Sequence, residues 1–513
     1  MSENVRIAKN TGFLYLRMLV VMAVQLFTSR VVLQVLGVVD YGLYNVVGGV
    51  VAMLSFLNGC AAGATSRYLT YALGSDKYDY KQVFGAAFAI HALIAFIIAL
   101  LGETAGLWYV CNKMVIPPDR LHAALVVYHI SILNVLVSFT QVPYSASIIA
   151  HERMNIYALV GLFDAFGALL LTYLLYISPA DKLISYAILI FLPVIVVSVF
   201  YRIYCVRAFG DRCRLSIVKD KKLYKELLSY SGWDLLGNFG AVARSQGVNL
   251  ILNLFFGPAV NAARAFAYQV ESALYRFITN FQQAVRPSVI KHYAAGEIVR
   301  TNSLLFTTGR FSFILFSCFA IPFIIECDYV MNLWLVNPPE YSILFTRIVL
   351  TIGLVTTINN TLQIAAHACG DVKRLNIYGG SKVFIELPLI YFVLKWGASP
   401  EWPLIIMLIG TTLINGANLY VVHKNIPEFS VRDFCVDVVL RDFLIIAVPV
   451  LCAYCAHILS FKYGFLRVVI VTVVYLITLI PVALQYGLNK EQRNRILDFL
   501  QAKFSGHKAN KSV

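Results

Sequence analysis

Apolar positions in this chain come in long unbroken blocks, not in alternation. Runs such as "FLYLRMLVVMAVQLF" (13–27), "AIHALIAFIIALL" (89–101) and "LIIAVPVLCAYCAHIL" (444–459) carry few charges and recur along the whole length. A helix of about 20 apolar residues crosses the roughly 30 Å of a bilayer's hydrocarbon. Backbone groups in lipid must bond within their own segment, and the period-2 pattern of barrel strands is missing. The pattern therefore predicts an all-α polytopic membrane protein with about fourteen transmembrane helices. Their centres fall near Val24, Phe56, Ile97, Leu133, Ala165, Pro193, Asn238, Leu274, Phe316, Ile358, Ile385, Met407, Val448 and Tyr475. Gly37, Gly74, Gly257, Gly296 and Gly370 mark expected turns. The first block, Thr11 to Leu36, is longer than a signal h-region, and no small-residue cleavage motif follows it, so it reads as a span.

Composition strengthens this picture. Of 513 residues, 59% are hydrophobic and 13% charged, with mean hydropathy +0.73; soluble domains carry about 25% charged residues. The net charge of +15 is spread over loops between spans and forms no separate basic domain, which excludes nucleic-acid binding. An even span count puts both termini on one side. The basic segments "RAFGDRCRLSIVKDKKLYKE" and "DVKR", and the tail from Asn489, all fall on that side, with roughly 25 Lys/Arg against about 5 opposite. The positive-inside bias makes that side cytoplasmic. Ten scattered cysteines, including the pair in "CAYC" at 452–455, read as small hydrophobic packing residues.

The chain also repeats itself. "RMNIY" at 153–157 returns as "RLNIY" at 374–378, an offset of 221, and an acid follows each in the next helix, Asp164 and Glu386. Gly12 pairs with Gly232 and Gly37 with Gly257 at offset 220. Six helices per repeat give the halves one orientation and a pseudo-two-fold axis along the membrane normal. The expected organisation is an N-terminal six-helix lobe (1–210), a basic cytoplasmic linker (211–225), a C-terminal six-helix lobe (226–430), two additional helices (431–490) and a basic cytoplasmic tail (491–513).

Polar residues concentrate in spans one, two, seven and eight, which the repeat relates. At about 100° per residue, Arg264, Tyr268, Glu271, Tyr275, Gln282 and Arg286 share a narrow wedge of one helix. Asp234, Asn238, Ser245 and Asn249 lie near one face of the helix before it, flanked by Arg244. Spans one and two contribute Arg17 and Arg67. An arginine in hydrocarbon costs at least about 2.5 kcal/mol, so a cluster needs a reason. One reason is structural, either pairing with acids or snorkelling to headgroups, and it suits Arg30, Arg276 and Arg286 near span ends. The other is a water-filled cavity that binds an anion: guanidinium forks match phosphate oxygens and stay charged. Glu271, Asp164, Asp234 and Glu386 sit where ionisation is costly, so they are candidates to carry a coupling proton or sodium ion, or else to pair with an arginine.

"LGVVDYGLYNVVGGVVAMLSFLNG", "LFFGPAVNAARAFAYQV", "LWLVNPPEY" and "ACGDVKRLNIYGGSKVFIELPL" together resemble the polysaccharide flippases of the multidrug/oligosaccharidyl-lipid/polysaccharide (MOP) exporter superfamily, the Wzx-type translocases. The likeness covers nearly the whole chain. It implies two six-helix lobes around a central cavity, with two further helices at the C-terminus. It implies translocation of an undecaprenyl-diphosphate-linked oligosaccharide (an O-antigen, capsule or exopolysaccharide unit) by alternating access in the bacterial inner membrane, with a coupling ion, H+ or Na+, and no other cofactor. Carried over by position, Arg17, Arg67, Arg244 and Arg264 meet the lipid diphosphate, and Tyr268 and Asn249 belong to the same cavity. Membrane lipids and other polysaccharide-assembly proteins are the implied partners.

Two other classes compete. A drug or organic-cation antiporter of the same superfamily needs an acidic cavity, whereas arginine outnumbers acid in spans one, two, seven and eight. A polysaccharide polymerase or ligase needs a large extracytoplasmic catalytic loop, and no loop on that side exceeds about 15 residues. Walker-type glycine loops and HExxH zinc spacing are missing as well.

Overall fold

The computed structural model describes residues 3–52, 65–66, 68–73, 78–151, 153–216, 218–230, 232–369, 372–460 and 464–487. All regular structure among them is helical. The helices are α1 (Glu3–Ala52), α2 (Tyr80–Leu101), α3 (Leu107–Asn112), α4 (Leu121–Ala150), α5 (Met154–Ile177), α6 (Lys182–Phe209), α7 (Lys221–Tyr230), α8 (Gly232–Phe256) and α9 (Pro258–Ala294). There follow α10 (Ile298–Ile325), α11 (Cys327–Leu335), α12 (Ser342–Ala368), α13 (Val372–Lys395), α14 (Trp402–Asn425), α15 (Val431–Phe434), α16 (Arg441–Leu459) and α17 (Phe465–Val482). Ten helices among the described residues are long and apolar enough to cross a membrane. Helices α8, α9 and α16 occupy the expected spans seven, eight and thirteen, and most of the expected second span lies outside the described residues. Large apolar side chains such as Phe96, Leu170, Phe384, Leu413 and Ile477 are exposed, as on a protein whose solvent is lipid. The protein is a multi-pass membrane protein.

The repeat has a backbone counterpart. Gly37, the kink inside α1, has φ +76°, and Gly257, between α8 and α9, has φ +77°. No atom stands within 4 Å of where a side chain would begin at either, so what glycine supplies there is the left-handed conformation itself. Pro117–Pro118 precede α4 and Pro338–Pro339 precede α12, again at offset 221. In both halves a long helix (α2 or α10), a short one (α3 or α11) and this proline pair come in the same order.

The chain packs as two compact units. One comprises Met1–Gln269, Asn337–Ser342 and Gly379–Pro403, the other Val270–Val336, Ile343–Tyr378 and Leu404–Val513. In the first unit α4 packs on α2 and α6, and α1 runs against α4, α5, α6 and α8. Its ends are tied by Arg120, whose Nε donates to Asp40 Oδ1 at 2.8 Å and whose Nη1 donates to Asp181 Oδ2 at 2.6 Å. Asp181 also caps α6 through the Leu183 and Ile184 amides. In the second unit α16 and α17 pack on each other and on α10.

Candidate functional site

In the first unit α8 approaches α13 at close range. A side chain at Gly240 would begin 2.9 Å from the Gly380 Cα, and one at Gly247 2.7 Å from Leu387. Between these two small-residue contacts sits Arg244, whose Nε lies 2.7 Å from Glu386 Oε2. Lys382, one turn before Glu386, lies 3.3 Å from Oε1. The Arg244–Glu386 contact is close but not aligned as a hydrogen bond, so its force is mainly Coulombic. Two cations share one buried carboxylate.

One helix later the arrangement differs. Arg264 is 3% exposed. Its Nη1 donates to Asn249 Oδ1 at 2.6 Å, and the guanidinium lies over the Tyr268 ring, 4.5 Å from the centroid. Nε and Nη2 are buried and donate to nothing among the described residues. No carboxylate is within ion-pair distance of Arg264 among the described residues. Asn249 is itself held: Asn261 Nδ2 donates to its backbone oxygen at 2.8 Å, and its own Nδ2 donates to Gln246 Oε1 at 3.0 Å.

Asn249 and Gln246 also line a cavity of about 480 Å³ within this unit. Its other polar lining comes from Tyr44 and Asn45 on α1 and from Ser131, Asn134 and Ser138 on α4. Gly48 and Gly49 let α1 come close; a side chain at Gly49 would begin 2.6 Å from Gln246 Oε1. Neither an acid nor a base lines the space. Arg264 stands one hydrogen bond behind it, through Asn249.

The polar residues of the second unit are otherwise disposed. Glu271 is half-buried, with no ion-pair or hydrogen-bond partner among the described residues. Further along α9, Tyr275 Oη accepts from Asn360 Nδ2 at 3.0 Å and Gln282 donates to Ser312 Oγ at 3.1 Å. Local sequence pattern gave no notice of two buried ion clusters. Glu326, between α10 and α11, accepts from Arg467 Nε at 2.9 Å and faces His457 Nδ1 at 2.6 Å, which ties α16 and α17 to the end of α10. Arg310 donates to the Gly487 and Asp437 carbonyls at 2.7 and 2.6 Å, and Asp442 lies 3.9 Å from its Nε. Both carbonyls belong to π-helical turns, Cys435–Leu440 and Ala483–Gly487. Those turns re-aim backbone oxygens in a way that a regular hydrophobic period does not reveal.

Of the residues expected to meet substrate, the structure brings Arg264, Tyr268 and Asn249 together and couples Arg244 to Glu386. Arg67 lies outside the described residues, as do the side chains of Arg17, Asp164 and Asp234. Arg286 is exposed on α9, while Arg30 and Arg276 are half-buried. The CAYC cysteines are not core packing residues: Cys455 is exposed and Cys452 half-buried on α16. No cluster of three or more potential metal ligands occurs among the described residues.

No protein-family model and no curated protein sequence matches the chain. Solved structures do. The lipid II flippase MurJ in an inward closed conformation superposes with TM-score 0.67 at 13% identity, over 90% of this chain and 97% of that one. An inward-facing multidrug resistance MATE family transporter of the MOP superfamily gives 0.66 at 11% identity, over 81% and 98%. The fold is that of MATE and MurJ transporters. A MOP superfamily transporter from Pyrococcus furiosus, described as having a binding pocket of reversed polarity, gives 0.54 at 10% identity, over 81% and 94%. At such identities the likeness extends to the MOP fold and no further.

Proposed function

We propose that this protein is a flippase that turns an undecaprenyl-diphosphate-linked oligosaccharide across the bacterial inner membrane by alternating access. The observation that carries the reading is Arg264: a buried guanidinium with no carboxylate beside it among the described residues and two donors unused. Buried polar groups without partners are costly, and an anion reaching this one supplies the missing acceptors. Planar bidentate donors suit a phosphate better than a halide or a single carboxylate oxygen. At 3% exposure Arg264 becomes reachable only after the helices around it shift, as a transport cycle requires. Arg244 and Lys382 supply two more cations in the same unit, with Glu386 between them. Arg17 and Arg67 complete the cationic set in this reading, and Glu271 is the leading carrier of a coupling proton or sodium ion, ahead of Asp164 and Asp234. The halves 1–210 and 226–430 form the two lobes, and the loop charge bias places both termini in the cytoplasm.

An organic-cation antiporter is the second reading, since MATE structures share the fold. The uncharged lining of the cavity among the described residues, and Arg264 behind it, speak against that cargo. The deciding experiment uses the purified protein in vesicles, with a fluorescent undecaprenyl-diphosphate oligosaccharide and, separately, a cationic dye, each under imposed proton or sodium gradients. Lipid translocation that is lost in Arg264→Ala supports the flippase. Dye movement without lipid movement overturns it.

A further inference from the structure

The cavity in the first unit has a chemistry that a phosphate site does not need. Its polar lining is carboxamide and hydroxyl, from Asn45, Ser131, Asn134, Ser138, Gln246 and Asn249, and Val51, Val135 and Phe139 give it an apolar wall beside them. Some of that capacity is spent inside the protein. Asn45 Nδ2 donates to the Tyr41 carbonyl at 2.8 Å, Ser131 Oγ to Val127 at 2.8 Å, and Ser138 Oγ to Asn134 Oδ1 at 3.3 Å. What remains is mixed. The amide N–H groups of Asn134 and Gln246 have no acceptor among the described residues, and Asn45 Oδ1 has no donor. A surface of alternating neutral donors and acceptors matches a ligand whose own groups are both at once, that is, hydroxyls. Among the described residues no ionised group lines it, so a charged ligand finds no opposite full charge there. A wholly apolar ligand would cover the open amides without pairing them, whereas a sugar ring offers hydroxyls to the amides and an apolar face to Val135 and Phe139. The volume, about 480 Å³, lies in the range of small-ligand sites.

We propose that this cavity receives a sugar ring, the one joined directly to the phosphate that Arg264 holds, and that Asn134, Ser138 and Gln246 decide which sugar is accepted. The inference rests on the flippase reading for the phosphate, but the ring site stands on the cavity lining alone. Asn249 joins the two: its Oδ1 orients Arg264 and its Nδ2 orients Gln246.

The test has two arms. In the first, the protein in detergent is heated with p-nitrophenyl glycosides of differing ring stereochemistry, with inorganic phosphate, and with tetraphenylphosphonium. A rise in Tm with some glycosides and not others, abolished in Gln246→Leu and Asn134→Leu, supports the ring site whether or not the protein moves lipid. Equal response to every glycoside, or response to the cation only, overturns it. Each variant's own Tm and gel-filtration profile report folding; should Gln246→Leu misfold, Asn134→Leu on the half-buried face of α4 decides alone. In the second arm, undecaprenyl-diphosphate lipids that differ only in the first sugar are offered in vesicles. Wild type should rank them over a range of about ten- to hundred-fold, the scale of one or two hydrogen bonds, and Ser138→Ala or Gln246→Leu should reorder the ranking. A wild-type ranking that follows the distal sugars instead overturns the ring site while leaving the flippase intact. No lipid movement at all, with glycoside binding retained, overturns the flippase and leaves the ring site.

Discussion

Arg264 on α9 and Arg467 on α17 are both buried guanidiniums, at 3% and 8% exposure. Their surroundings differ. Arg467 meets the Glu326 carboxylate, which His457 also contacts, and the charge is met where it lies. Arg264 meets an amide oxygen and a ring face, and two of its nitrogens donate to nothing among the described residues. Burial alone therefore does not mark a binding group in this fold. The marker is unmet hydrogen-bonding capacity. By that measure the Glu326–His457–Arg467 cluster is closed and fastens α16 and α17 onto α10, Arg310 Nε and Asp442 keep unbonded atoms but face each other as an ion pair, and Arg264 leaves capacity over beside a cavity with no acid facing it among the described residues.

The contrast can be broken most forcefully at Arg467. Removing one partner of a buried pair costs about 3–5 kcal/mol, so Arg467→Ala should lower the Tm sharply. The double variant Glu326→Gln/Arg467→Gln should regain much of the loss, and equal destabilisation of single and double variants would show that the pair does not act as a unit. Arg264→Ala should behave in the opposite way. It leaves the Tm near wild type or raises it, while lipid translocation falls about a hundred-fold, the scale of two charge-assisted hydrogen bonds. Arg264→Lys should restore only part of the rate, because an ammonium lacks the planar fork; full recovery would argue for simple charge attraction. Next come the matched turns. Gly37→Ala and Gly257→Ala should each cost roughly 1–3 kcal/mol from the positive-φ backbone alone, and unequal costs would separate the two turns energetically. The smallest effect belongs to Asp181. Partial burial raises its pKa, but hydrogen bonds from Arg120 and from the Ile184 and Leu183 amides outweigh this and hold it below the usual carboxylate value. Its contribution is therefore complete above the unfolded pKa of about 3.9 and fades as pH falls through the lower folded value. Between pH 5 and 8 its contribution to the thermal stability should be flat, and Arg120→Gln should shrink the acid-side decline.

Periodicity carried the fold far. Continuous apolar blocks announced the spans, and the repeated glycines announced matched breaks whose left-handed backbone the structure displays at Gly37 and Gly257. The polar stripe on α9 was legible too, because one helix holds all its members. Pairing was not legible. Whether Arg244 or Arg264 has an acid beside it depends on α13, more than a hundred residues downstream, and on the small contact between Gly240 and Gly380 that sets its distance. Glu326, His457 and Arg467 went unnoticed for the same reason, and Arg310 because its acceptors are backbone oxygens in π-turns, which leave no side-chain signature. The cavity was invisible as well: Asn45, Asn134 and Gln246 lie on three helices, and each alone is an ordinary polar residue.

The Glu326 anchor also sets a timetable. Its arginine lies 141 residues further along the chain. At about 5–20 residues per second, the ribosome needs roughly 7–28 s to deliver that partner. Throughout that interval the nascent protein carries an uncompensated acid at the end of α10, and a transcript cut short before the final hairpin produces a polypeptide that carries it permanently.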